Sequence, residues 1–242
     1  RVQSAEKTFA TYELTVTNPG GHSSRPRSDN AIYELADALG KIAAYRFPVR
    51  ATDLTRSYFG TAGKLTPGDL GQAMLRFAAD PTDQSAIAAL QANPETVGTL
   101  GTTCVATMLQ AGHAENALPQ SATATVNCRI FPGEGAAATE ARLKDVIGND
   151  KVAFKLVTNV TESPESKLRD DVKAALRTSL DKRYPGITIL PYMESGGTDG
   201  MHYRTLGYDT VAMSGSAMKA SDMFAHGLNE RLPVASFYGG LD

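Results

Sequence analysis

Two stretches of this chain alternate apolar and polar residues without a break, and that alternation restricts the fold more than any other feature. Between 122 and 130, Ala122, Ala124, Val126, Cys128 and Ile130 alternate with Thr123, Thr125, Asn127 and Arg129. Between 9 and 17, Ala10, Tyr12, Leu14 and Val16 alternate with Phe9, Thr11, Glu13, Thr15 and Thr17. A period of two sends each set to its own side of an extended chain, so both stretches predict strands buried on one face only. Arg129 then lies on a polar face. The apolar face needs a cover, and the sequence between and after the strands must supply it.

Helical spacing provides the cover. Ile32, Leu35, Ala36, Leu39, Ile42 and Ala43 recur at helical intervals, with Ser28 or Asp29 as the expected cap. After Pro132-Gly133, Leu143, Val146 and Ile147 mark a second helix. A β-rich run at 102–111 and a short strand at 152–158 complete the order β-α-(insertion)-β-β-α-β. That order is the split βαβ, ferredoxin-like arrangement. The insertion, about 46–100, is broken by Pro67, Pro81 and Pro94 and predicts one or two short helices, near 70–78 and 83–91. A second unit starts near Ser163-Pro164 with an amphipathic helix over 168–180. It continues with a strand at 187–192, a Gly-rich loop at 194–200, a further strand at 208–213, and an apolar run from 234 to 241 that no cap closes. The fold class read from this is α+β, with domains at 1–162 and 163–242.

Composition narrows the partners. Lys and Arg number 24 and Asp and Glu 26, so the formal charge of −2 gives no general attraction to nucleic acid or to an anionic membrane. No apolar stretch approaches the roughly 20 residues that span a bilayer. The N-terminus has no signal-peptide core and no initiator Met. The reading is therefore a soluble protein, cytoplasmic or periplasmic, with the compartment open. Cys104 and Cys128 are too few for a disulfide scaffold and lack metal-ligand spacing. They lie equidistant from Asn116, so a hairpin would bring them near each other; two reduced core thiols are favoured over a bridge.

Motif screening removes several chemistries. The chain contains no G-x-S-x-G, no G-x-G-x-x-G, no P-loop and no H-E-x-x-H. Ser195 beside two glycines is left without a nucleophile elbow. His22 follows Gly20-Gly21 at a strand exit, where the paired glycines permit a close approach of backbone or ligand; a plain turn histidine is the competing reading. His226 has Asp222 four residues before it and Glu230 four after, a pattern that suits a zinc ligand and its supporting carboxylates. His113 and His202 read as surface or supporting residues. Arg129, with Asn116 on the preceding loop, could clamp a carboxylate through its guanidinium fork; a salt bridge to an internal acid is the equal alternative.

Taken together, five segments give the chain a family likeness. They are Asn18-Pro-Gly-Gly-His-Ser-Ser-Arg-Pro, Asn30-Ala-Ile-Tyr-Glu-Leu-Ala, Glu115-Asn-Ala-Leu-Pro-Gln with Asn127-Cys-Arg-Ile-Phe-Pro-Gly, Glu194-Ser-Gly-Gly-Thr-Asp-Gly, and Ala225-His-Gly-Leu-Asn-Glu-Arg-Leu-Pro-Val. In this order they resemble the dinuclear zinc peptidases that include glutamate carboxypeptidase, aminoacylase and succinyl-diaminopimelate desuccinylase. The resemblance implies a ferredoxin-like lid, or dimerisation, domain followed by part of an α/β zinc-binding domain. It implies hydrolysis of an amide in a small peptide or N-acyl amino acid by a water bridging two Zn²⁺ ions. It also implies a homodimer in which His22 reaches across to stabilise the oxyanion, Asn116 and Arg129 hold the substrate, Gly196 and Gly197 line its loop, and His226 binds metal. The family's other ligands, an H-x-D pair, a bridging Asp and a Glu-Glu pair, have no counterpart here. The expectation is therefore a fragment that supplies lid, carboxylate binding and one ligand but is inactive alone. The alternative is a stand-alone ferredoxin-like interaction module without catalysis.

Overall fold

The computed structural model describes residues 1–219, 222 and 224–241. The two alternating stretches are its central strands. β2 (Thr8–Thr17) and β6 (Ser121–Ile130) pair antiparallel along their whole length, from Thr8 opposite Ile130 to Thr17 opposite Ser121. β4 (Thr103–Ala111) adds to the far side of β6 and β7 (Ala153–Leu156) to the far side of β2, giving the order β4-β6-β2-β7. With α1 (Ala31–Ala44) and α6 (Ala136–Ile147) as the crossovers, this is the ferredoxin-like βαββαβ topology. Ala10, Tyr12, Leu14 and Val16 meet Ala124, Val126, Cys128 and Ile130 under Leu35 and Ile42 of α1 and Leu143 and Ile147 of α6. A phenol hydroxyl is costly to bury unpaired. That of Tyr12 donates to the Ala136 carbonyl at 2.7 Å.

Asn30, and neither Ser28 nor Asp29, caps α1, accepting from the Ile32 N–H at 2.9 Å, as a short polar side chain does at a helix start. Asp29 is already engaged with Arg27 at 2.7 Å and with Asn18 at 3.1 Å, which leaves it no role at the helix end.

The insertion holds more helix than its prolines suggest: α2 (Asp53–Leu65), α3 (Gly68–Ala79), α4 (Gln84–Gln91) and the single turn α5 (Pro94–Val97). Thr52 starts α2 with a capping box completed by Thr55. Phe59, Phe77 and Leu90 form a separate core, and that core reaches Leu190 outside the insertion.

β1 (Val2–Glu6) does not join the four-stranded sheet. It pairs in parallel with β8 (Pro191–Glu194), and Gln3 makes a single bridge to Ala212. The strand expected at 187–192 therefore sits slightly later, and the one expected at 208–213 is only that bridge. After the four-stranded sheet come α7 (Asp170–Asp181), α8 (Gly200–Thr205) and α9 (Val234–Gly239). The last of these ends on Gly240 as its C-cap, where the sequence suggests an unclosed run.

Cys104 and Cys128 stand directly opposite each other on β4 and β6 and form a disulfide, in place of the two reduced thiols expected. Residues facing each other on adjacent antiparallel strands approach closely. Here the Cα atoms are 4.1 Å apart, which brings the sulfurs within bonding reach.

Candidate active site

The residues singled out in the sequence fall into three groups. The first is built by a two-residue ladder, β3 (Gly21–His22) against β5 (Ala117–Leu118), which ties the loop after β2 to the loop before β6. Ser23 N–H donates to the Asn116 carbonyl at 3.0 Å, so His22 and Asn116 are neighbours. Gly20 adopts a left-handed φ of +79°, and a Cβ there would sit 2.9 Å from Gln120 Cγ. Only glycine lets the two loops close in that conformation. The Ser24 backbone N–H points to His22 Nδ1 at 3.2 Å, with the Ser24 hydroxyl at 2.8 Å. A backbone N–H can only donate, so Nδ1 is the acceptor and Nε2 carries the proton, facing solvent as a hydrogen-bond donor. That is the tautomer an oxyanion stabiliser requires.

Arg129 forms the second group, at the opposite end of β6. It lies opposite both Phe9 and Thr103, on the sheet face away from α1 and α6. Its guanidinium stacks 4.6 Å from the Phe9 ring centre, a cation–π contact. Among the described residues it makes no salt bridge. Partial burial lowers its pKa while the nearby Glu194 charge works the other way. A half-buried cation that stacks on an aromatic ring and makes no salt bridge among the described residues is well suited to take a carboxylate from a ligand.

Gly196 and Gly197 follow β8, whose last residue, Glu194, is near enough to Arg129 for its charge to act on the guanidinium. Glu194 shapes their loop: its Oε1 accepts from Ser195 N–H at 2.8 Å and Gly196 N–H at 3.1 Å, and its Oε2 accepts from the Tyr192 hydroxyl at 2.8 Å. Burial and the Glu194 bond together push the Tyr192 phenol well above its ordinary value. Gly197 is exposed and a Cβ there would meet nothing, so the loop is open to a ligand on that side. Further along, Thr198 N–H donates to Glu6, which is also ion-paired with Arg204.

His22 and Asn116 do not reach Arg129 within one chain. Ser121, beside the first group, and Arg129 lie near opposite ends of β6. The eight steps between them amount to about 26 Å at strand rise. Asn116 and Arg129, expected to act side by side, are therefore apart, and the structure puts Asn116 with His22.

His226 is the third group. It is exposed, has φ +64°, and donates its own N–H to Glu230 Oε2 at 3.1 Å. Asp222 is turned to Arg231 at 2.9 Å. Of the two carboxylates that the spacing assigned to His226, Glu230 meets its backbone N–H rather than its ring, and Asp222 is paired with Arg231. Among the described residues no three His, Cys, Asp or Glu side chains gather as a metal site. A zinc ion takes three or four protein ligands, so the residues present do not fit a resident metal by themselves.

Sequence reasoning missed Glu6, Lys7 and Arg204. Lys7 is almost wholly buried, with its ammonium 3.3 Å from the Thr103 hydroxyl. The adjacent charges Glu6-Lys7 follow a run too short to betray a strand, and nothing around Arg204 marks it as interior.

Residues 4–155 match the family model described as the peptidase dimerisation domain. A probable carboxypeptidase S-like protein from Dictyostelium discoideum is 27% identical over 237 residues, covering 96% of this chain and 44% of that protein. The human N-fatty-acyl-amino acid synthase/hydrolase PM20D1 is 25% identical over 249 residues, covering 96% of this chain and 47% of that protein. The chain thus spans a little under half the length of these relatives. Two solved structures share the fold: the dipeptidase Dug1p from Saccharomyces cerevisiae, with TM-score 0.67, 13% identity and coverage of 99% of this chain and 53% of that one, and human carnosine dipeptidase 1, with TM-score 0.64, 13% identity and coverage of 99% and 54%.

Proposed function

The chain belongs to the peptidase dimerisation domain family of the M20 metallopeptidases, and on that premise we propose that it is the lid and substrate-carboxylate part of an amide hydrolase acting on N-acyl amino acids or small peptides. Arg129 carries the reading: a half-buried guanidinium on Phe9, beside the Gly196-Gly197 loop, with no salt bridge among the described residues. The related proteins include hydrolases of N-fatty-acyl amino acids and carboxypeptidases, whose substrates end in a free carboxylate. In this assignment the lid comprises the ferredoxin-like unit with its insertion, within 1–162. Residues 163–242 belong to the hydrolytic domain, together with Val2–Glu6, which pair with them.

An NMR titration with N-acetyl-phenylalanine and its C-terminal amide tests the Arg129 assignment. Arg129→Gln is expected to weaken the free acid about ten- to hundredfold, the worth of a charge-assisted fork, and to leave the amide unchanged. Equal affinities for acid and amide in the parent chain would refute it and favour the interaction module.

His22 and Asn116, about 26 Å from Arg129 along the sheet, are assigned to a second copy's site, with His22 Nε2–H placed against the developing oxyanion. β4 is an edge strand, and Met108 and Leu109 on it are 61% and 62% exposed. Such an apolar edge is of the kind that pairs across a two-fold. Sedimentation is expected to show a dimer at micromolar concentration and a monomer after Met108→Asp with Leu109→Asp. A parent that sediments only as monomer counts against the shared site.

The metal step is assigned to zinc in the whole enzyme. His226 has no companion ligands among the described residues. The 242-residue chain alone is therefore expected to retain less than one equivalent of zinc and to leave N-acetyl amino acids uncleaved. Two bound equivalents with turnover would overturn that part of the proposal.

A further inference from the structure

The two sulfurs of the Cys104–Cys128 bond have different surroundings. Cys128 is completely buried, in the core that also holds Tyr12 and Leu35. Cys104, facing it from β4, packs only partly against that core. It also lines a hollow of about 770 Å³, together with Leu39 and Ile42 of α1, Val97 of α5 and Ala106 of β4. Residues opposite each other on adjacent strands point to the same side of a sheet. The hollow therefore lies on the helix side, away from Arg129, and is independent of the carboxylate reading. None of the described residues lining it is acidic, and its one charged member is Arg46.

We infer that Cys104 is a site of thiol–disulfide exchange, at which an anionic low-molecular-weight thiol of the glutathione class enters the hollow and forms a mixed disulfide. The volume is in the range that encloses a molecule of that size, and no lining carboxylate repels its own carboxylates. The incoming thiolate bonds to Cys104 Sγ as the bond to Cys128 breaks, and the electron pair of that bond leaves on Cys128 Sγ. A bare thiolate is costly in an apolar core, so Cys128 takes up the proton that the thiol gave up. One disulfide is exchanged for another and no oxidant is consumed. The β4–β6 ladder keeps Cys128 facing Cys104, so the return attack expels the thiol and recloses the bond. Attack at Cys128 would instead require a nucleophile inside the core. The bond spans a sequence separation of 24, which includes Asn116 and the Ala117–Leu118 strand that holds His22. Opening it removes the covalent closure from the hairpin that carries the first group of site residues.

Exposure of the 242-residue chain to reduced glutathione, followed by acid quenching and peptide mass mapping, tests the site. The mixed disulfide is expected on Cys104, with about a tenth as much or less on Cys128. Equal labelling, or labelling mainly of Cys128, would overturn the proposal, as would two free thiols in the untreated chain. Single-cysteine variants add a rate. With oxidised glutathione, Cys128→Ala is expected to take up one equivalent, and Cys104→Ala to react at least about a hundredfold more slowly, because its buried thiol waits for the core to open. Comparable rates would mean that strand opening, and not the hollow, admits the reagent. Ala43→Trp and Ala106→Trp narrow the hollow from exposed positions on two elements. Each, added to Cys128→Ala, is expected to slow the uptake about tenfold or more; a rate unchanged by both would also overturn it. The mapping on the parent chain needs no substitution, so it decides the matter even if a variant fails to fold.

Discussion

Arg204→Leu is expected to destabilise the fold by about 3–5 kcal/mol, the cost of stranding a buried partner charge. Glu6 ends β1 and Arg204 lies in α8; both are 2% exposed. Arg204 donates to Glu6 and, at 3.0 Å, to the Thr210 carbonyl, while the other Glu6 oxygen accepts from Thr198 N–H. Removing the guanidinium leaves a carboxylate out of water with one backbone donor. Glu6→Gln combined with Arg204→Met removes both charges but keeps an acceptor for Thr198, and is expected to recover most of the loss. Urea midpoints at constant slope read both effects. The single variant has a second signature. Gln3 Nε2 also holds the Thr198 hydroxyl at 3.0 Å, so the pair anchors the end of the loop that carries Gly196 and Gly197. Amide exchange at Thr198 is expected to quicken more than at the lid strands. A cost below about 1 kcal/mol, with Thr198 exchange unchanged, would mean that the pair is not a structural anchor. Gly200 offers an independent check: a Cβ there would lie 2.9 Å from Arg204 Nη1, so Gly200→Ala disturbs the same contact without removing charge.

Local periodicity explains why the ferredoxin-like unit was legible. Every strand of the four-stranded sheet and both of its helices carries its own pattern, and the topology follows from their order. Three features were not local. The helix α2 has Leu54, Tyr58 and Phe59 at helical spacing, but Thr55, Thr61, Gly60 and Gly63 dilute the signal. Its core partners lie in α3 and at Leu190. Gly63 is also a contact point, since a Cβ there would come 2.8 Å from the Gly71 carbonyl. A residue that weakens the helix thus lets two helices approach. The pairing of β1 with β8 spans almost the whole chain and leaves no mark in five residues. The disulfide depends on register: only when β4 pairs in the observed frame do Cys104 and Cys128 face each other.

The candidate site was legible as residue types but not as groupings. Motifs identified His22, Asn116 and Arg129, and their sequence numbers suggested that Asn116 and Arg129 act together. The β3–β5 ladder and the length of β6 separate them instead. This is the physical argument for a second copy: a donor at one end of a rigid sheet cannot serve a carboxylate clamp at the other end of the same sheet. Charges that set the site from behind carry no sequence signature, because their importance comes from burial, and burial is a property of the folded chain.

Lys7 shows how large that hidden effect is. Stability is expected to rise between about pH 7 and pH 9.5, and Lys7→Met to abolish most of the rise. The side chain is 1% exposed, with a single hydrogen bond, to the Thr103 hydroxyl, among the described residues. Burial drives its pKa down to about 7; the Arg129 charge adds to the fall and Glu134 opposes it. An unfolded lysine keeps its proton up to about pH 10.4. Below pH 7 both states are protonated, and the folded state bears the full cost of a buried ammonium. Between the two values the unfolded chain binds more protons, so the unfolding free energy increases with pH by up to about 1.4 kcal/mol per pH unit. From pH 6.5 to 9.5 the gap between Lys7→Met and the parent is thus expected to shrink by about 3 kcal/mol. The upper bound of that window matters. Burial raises the Tyr12 phenol to about 12. Above about pH 10 it therefore stays protonated in the fold while it ionises in the unfolded chain, and stability falls again. Parallel stability curves for the two proteins across pH 6.5–9.5 would show that Lys7 stays charged in the fold. Curves that converge would show a lysine largely neutral above pH 7, leaving Arg129 as the cation at that end of the sheet.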